Sequence, residues 1–271
     1  MKEILREFFG FGELGYTREP EGYMSWQHLT FVTVLMLIMV ALAICFGLKY
    51  RHREEKEKNK VLIWSAILID GFELIKIILH VADGGSILTV LPLFLCSIQL
   101  ITIPLAAFTT GRMKEASLDF VSIFGLLGAV LGTYLAGQNY AAYPVLSFVN
   151  VVSGITHSIS GFAALYILIS GMASMKKKNI PITYGILTGF AVVAYIINRL
   201  IDYNYMFLMR GDGTPYDILY NLVKGNPVIY PIGVILLLFV YILLFNLIFS
   251  AFSSSKKRAA EKKYKKDSLT V

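Results

Sequence analysis

Asp70, Glu73, Lys76 and His80 interrupt the otherwise apolar stretch 61–80. At about 100° per residue they share roughly one third of a helix circumference. Charges in hydrocarbon are costly, so such a stripe faces a polar cavity or forms an ion-pair ladder that fixes packing. A second chemical set is Cys96 together with Asn150, Ser153 and His157, which share one helical face with Gly154 and Gly161. An imidazole beside a thiol can take its proton, leaving the thiolate that attacks a carbonyl. His28, Asp70, Glu73, His80, Cys96 and His157 are also potential metal ligands, but no HExxH or CxxC spacing supports that use. Neither a metal nor a cofactor is expected. Cys45, between Ile44 and Phe46, reads as a small apolar residue.

The elements that must position these residues are membrane helices. The chain is 56% hydrophobic with a mean hydropathy of +0.65, and apolar runs long enough to cross hydrocarbon recur along it. Seven spans are expected, near 26–48, 61–80, 88–109, 118–136, 145–171, 181–202 and 228–251. This predicts an all-α polytopic seven-helix bundle, multi-pass in the cell membrane. Residues 1–25 form an interfacial N-terminal segment, 26–251 the transmembrane domain and 252–271 a basic tail. The first residues lack a signal-peptide cleavage pattern. Ile4, Leu5, Phe8, Phe9 and Phe11 instead predict an amphipathic surface helix or a flap over the bundle mouth.

Charge placement sets the orientation. Residues 49–60 carry six Lys or Arg, 176–178 three and the tail from Lys256 seven, whereas 81–87 and 137–144 carry none. The N-terminal 27 residues hold three basic and five acidic groups. The positive-inside rule puts the N-terminus outside and the C-terminus in the cytoplasm. A net charge of +7 distributed this way points to topology and the lipid bilayer, not to nucleic acid. Nothing in the pattern sets an oligomeric state.

At about 1.5 Å per residue, Glu73 lies about 10 Å and Cys96 about 12 Å below the outer surface. His28, Asn150, Asn198, Arg199, Asp202 and Asn204 reach the same half. One outward-opening cavity lined from five helices is therefore expected.

Leu91-Pro-Leu-Phe-Leu-Cys96, the Asn150 to His157 helix, and Asn198 with Asn204-Tyr-Met-Phe-Leu and Tyr230-Pro following together resemble the YwaF-type bacterial integral membrane proteins. Their animal relative is transmembrane protein 164. The likeness runs over roughly residues 20–250. It implies a lipid acyltransferase working through a cysteine acyl-thioester, while more distant relatives are intramembrane lipid hydrolases. Carried over by position, Cys96 would be the nucleophile and His157 the base. Phe94 and Ser97 stand where the pattern often has a His and an acidic residue beside the cysteine, so Glu73, His28 or His80 would have to compensate.

The expected function is acyl transfer or hydrolysis on membrane phospholipids or lysophospholipids, with Asn150 or Asn198 stabilising the oxyanion. Two other classes remain open. One is a small-solute transporter with Asp70, Glu73, Lys76 and Arg199 as its ion path. The other is a seven-helix sensor that binds a ligand in the outer cavity.

Overall fold

The computed structural model describes residues 7–10, 15, 16 and 18–268, with side chains described to 251. Among them the fold is entirely helical. Helix α1, Trp26–Tyr50, starts at Ser25, whose hydroxyl accepts the His28 amide at 3.2 Å. Helix α2 spans Glu55–Ala82, α3 Gln99–Phe108, α4 Gly111–Tyr134 and α5 Gly137–Ala142. Helix α6, Phe148–Ser170, is capped by Ser147 and stops at Gly171, whose φ of 77° ends it in a left-handed turn. Helix α7 spans Ile180–Ile201, α8 Tyr216–Leu222 and α9 Ile229–Ser268.

Five helical stretches are long and apolar enough to cross a membrane by length and composition: Trp26–Tyr50, Gly111–Ala142, Phe148–Ser170, Lys177–Ile201 and Ile229–Ala251. This is a multi-pass membrane protein. Helix α2 has the length, at 28 residues, but carries the Asp70, Glu73 and Lys76 charges. The stretch 88–109, expected as one helix, is broken. A 3-10 turn covers Ile87–Thr89, another covers Leu95–Ile98, and only then does α3 begin. Pro92 is the physical reason, because it bars Leu91 from helical backbone angles and has no amide to donate. A depth counted at helical rise from residue 88 therefore does not apply to Cys96.

Helix α6 is the hub, packed chiefly against α4 and α1. Small residues allow the approach. A Cβ added at Gly125 would meet the Ser160 carbonyl at 2.7 Å, and one at Gly154 would meet Leu35 at 2.7 Å. One apolar core joins α2, α3, α4 and α6 through Leu62, Ile69, Ile103, Val121 and Ile167. A second joins α4, α7 and α9 to the 205–208 turn through Phe120, Phe124, Leu187, Tyr205 and Val234. Of the N-terminal segment, Phe8 and Phe9 pack on Phe148 with ring centroids 5.9 and 5.2 Å away. Ile4, Leu5 and Phe11 lie outside the described residues.

Candidate active site

The break in front of α3 places Cys96 in the first turn of a helix that runs on to Phe108. Backbone amides in a first turn lack intrahelical partners and favour negative charge nearby. The irregular segment before it is tied down from far along the chain. The buried Tyr205 hydroxyl donates to the Leu88 carbonyl at 2.7 Å and accepts the Leu91 amide at 3.1 Å. Asn198 grips Tyr205 in turn: its Nδ2 donates to the Tyr205 carbonyl at 2.9 Å, and its Oδ1 accepts the Tyr205 amide at 2.7 Å. Phe94 meets the Tyr205 ring edge-on at 5.0 Å.

The Cys96 thiol lies close to the His157 imidazole, near enough for the two to interact electrostatically. His157 Nδ1 is 2.7 Å from the Ser153 carbonyl. A carbonyl can only accept, so Nδ1 carries the hydrogen and the neutral ring presents a lone pair at Nε2. That Nε2 is buried and has no hydrogen-bond partner among the described residues, so its lone pair is uncommitted beside the thiol. Two glycines on α4, one turn apart, make room for the pair. A Cβ at Gly132 would overlap the Nε2–Cδ2 edge of the His157 ring, and a Cβ at Gly128 would stand 3.8 Å from Cys96 Cβ. Sequence reasoning passed over both, although the Gly128-x-x-x-Gly132 spacing is the signal for close helix approach.

Of the ionisable stripe on α2, Glu73 and Lys76 lie within electrostatic reach of Cys96, and Lys76 also of His157. They pair at 2.6 Å through an i,i+3 contact. Asp70 is close enough to feel the Glu73 charge, and its Oδ1 is buried without a hydrogen-bond partner. Ser153 joins the site through its carbonyl more than its hydroxyl, which stands 3.5 Å from Nδ1.

The other expected residues do not converge here. His28 is fully buried elsewhere, with Nε2 3.1 Å from the Thr133 carbonyl, Nδ1 accepting the Met24 amide, and its ring tilted against Tyr140 with centroids 3.8 Å apart. His80 stands 3.4 Å from the Thr89 hydroxyl at the C-terminal end of α2. Asn150 spends its Nδ2 on the Tyr143 and Pro144 carbonyls at 3.1 and 3.0 Å. Asn198 is committed to Tyr205, and Asn204 donates to the Arg210 carbonyl and to Asp212. Arg199 and Asp202 are exposed, Asp202 as the left-handed cap of α7 with φ 52°. The expectation of one cavity lined from five helices is thus corrected to a compact cluster on α2, the start of α3, and α6, floored by α4. Among the described residues no three His, Cys, Asp or Glu side chains converge as metal ligands.

The arrangement offers a thiol, a base with its tautomer set, and a neutralised ion pair in a largely apolar setting. A family model described as the TMEM164 family matches residues 23–249. No curated protein and no solved structure matches.

Proposed function

The chain belongs to the TMEM164 family, and from that premise we propose that it is an intramembrane acyltransferase acting on phospholipids of the cell membrane. The observation that carries the reading is the Nδ1 contact of His157 with the Ser153 carbonyl, 2.7 Å long, which leaves Nε2 for the thiol. In this reaction His157 Nε2 takes the Cys96 proton as sulfur attacks an acyl ester carbonyl. The tetrahedral adduct collapses to an acyl-thioester, and the departing lysophospholipid oxygen receives the proton from His157. A lysophospholipid hydroxyl, or water, then gives its proton to Nε2 and attacks the thioester, restoring the thiol. Lys76, within reach of Cys96 and paired with Glu73, supplies positive charge near the developing oxyanion. Asn150 and Asn198 are left out of that role because their amide groups are already engaged.

The family reading goes with seven crossings. Helix α2 is the second crossing, and the 88–108 segment the third. The N-terminus lies outside, because the basic connections at 49–60 and 176–178 share the other side. Irregular backbone is tolerated at membrane depth where its polar groups find partners in the protein, and the Tyr205 hydroxyl supplies one to Leu88 and Leu91.

Purified protein supplied with labelled phospholipid and lysophospholipid tests the proposal. Transfer or hydrolysis that disappears in Cys96→Ala and His157→Ala, while both stay monodisperse, supports it. Absence of turnover across a broad lipid panel, or full activity in Cys96→Ala, sinks it.

A further inference from the structure

Beside the cysteine segment the structure holds a second feature, a half-open cavity of about 230 Å³. Its walls include the aromatic rings of Phe94, Tyr203 and Phe207, and its polar groups include Gln138, Arg210 and Asp212. None of these serves the thiol–imidazole pair. Resting on the acyl-transfer reading and extending it, we propose that this cavity is a headgroup subsite that takes the linked phosphate and ammonium of a zwitterionic phospholipid.

Charge is the first argument. Arg210 Nε donates to Asp212 Oδ1 at 2.7 Å. Asn204 Nδ2 fixes the other carboxylate oxygen at 2.8 Å. The cavity therefore presents one cation and one anion side by side. A ligand with only negative charge gains Arg210 but must lie against Asp212. A ligand with joined opposite charges satisfies both. The two Arg210 Nη groups have no hydrogen-bond partner among the described residues, and that fork matches phosphate oxygens. The aromatic faces beside Asp212 suit an ammonium group.

Position is the second argument. Phe94 belongs to the cavity wall, and Cys96 lies two residues further on. Two residues of chain reach at most about 7 Å. The short glycerol bridge of a phospholipid joins a phosphate to its ester carbonyls over a comparable distance. A headgroup held in this cavity thus sits beside the segment that carries the thiol.

The test reads binding, not turnover. Full-length protein in detergent is mixed with equal amounts of dioleoyl phosphatidylethanolamine and dioleoyl phosphatidylglycerol, and retained lipid is counted by native mass spectrometry. Wild type and Cys96→Ser are expected to retain the ethanolamine lipid about tenfold over the glycerol lipid. Arg210→Gln is expected to lose that preference and Arg210→Lys to keep part of it. Glycerophosphoethanolamine should displace the bound lipid, and inorganic phosphate at the same concentration should not. Equal retention of the two lipids by wild type, or an unchanged preference in Arg210→Gln, overturns the proposal. Equal displacement by inorganic phosphate also overturns it, in favour of a simple anion site. Arg210 and Asp212 are 53% and 23% exposed, so their pair adds little to folding. Should Arg210→Gln still aggregate, the wild-type competition decides alone. Preference without any acyl transfer sinks the enzyme reading and leaves the subsite; Cys96-dependent turnover with a preference indifferent to Arg210 does the reverse.

Discussion

Gly132 of α4 faces the His157 imidazole so closely that a methyl group in place of its hydrogen would overlap the ring. One turn earlier, Gly128 leaves an ordinary van der Waals gap of 3.8 Å to Cys96 Cβ. The two positions therefore separate tight fit from mere proximity. Gly132→Ala is expected to displace the ring, lowering stability by about 1–3 kcal/mol and activity about a hundredfold. Gly128→Ala should leave both nearly unchanged. Thermal melts and acyl-transfer rates on the two variants check this, and equal behaviour would count against the close fit.

Ser153 and His157 make a second contrast. The imidazole is oriented by a main-chain carbonyl at 2.7 Å, which Ser153→Ala keeps. That variant should retain activity within a few-fold. His157→Gln removes the base, with an expected loss of about a hundredfold or more. A large defect in Ser153→Ala would show that the hydroxyl, not the carbonyl, sets the ring.

Tyr205→Phe keeps the aromatic contact with Phe94 but removes the bonds to Leu88 and Leu91. Two part-buried backbone groups then lose their partner, at an expected total cost of about 1–3 kcal/mol. Turnover should fall with stability, because Cys96 follows on the same segment. Burial pushes the Tyr205 hydroxyl up to about 12, above its unfolded value of about 10. Its contribution is therefore whole below pH 10 and is lost as the pH climbs toward 12. Denaturant midpoints of wild type and Tyr205→Phe should converge only across that alkaline range.

Asn150→Ala distinguishes a loop staple from a catalytic group. The Asn150 amide bonds the carbonyls of Tyr143 and Pro144, so its loss should lower stability by about 1–3 kcal/mol. Activity per folded molecule should hold. A collapse of kcat with unchanged melting would return Asn150 to the reaction.

The helical bundle was legible because apolar runs near 20 residues announce membrane helices whatever their neighbours. Cys96 and His157 stood out by residue type, since few side chains in such spans can do chemistry, and they lie near one another in the fold. What escaped was the use made of polar groups by their own loops. Asn150 and Asn198 each find partners seven residues away in irregular backbone, and helical periodicity carries no information about that. Arg199 misled for another reason. It shares α7 with Val192, Val193, Ile196 and Leu200, all at least half exposed, a face that packing against α4 and α9 leaves outward. The stretch 88–109, expected as one helix, is interrupted at Pro92, whose effect on the residue before it a hydropathy run does not register.

The Leu88 and Leu91 bonds to Tyr205 join residues 117 and 114 positions apart. During synthesis the cysteine segment leaves the ribosome long before the tyrosine that holds it, and chains fold from the N-terminal side first. A nascent chain that stops before residue 205 already contains Cys96 and His157 yet lacks the clasp on the segment before Cys96. The turn that precedes Cys96 is therefore fastened late, by a residue in the last third of the polypeptide.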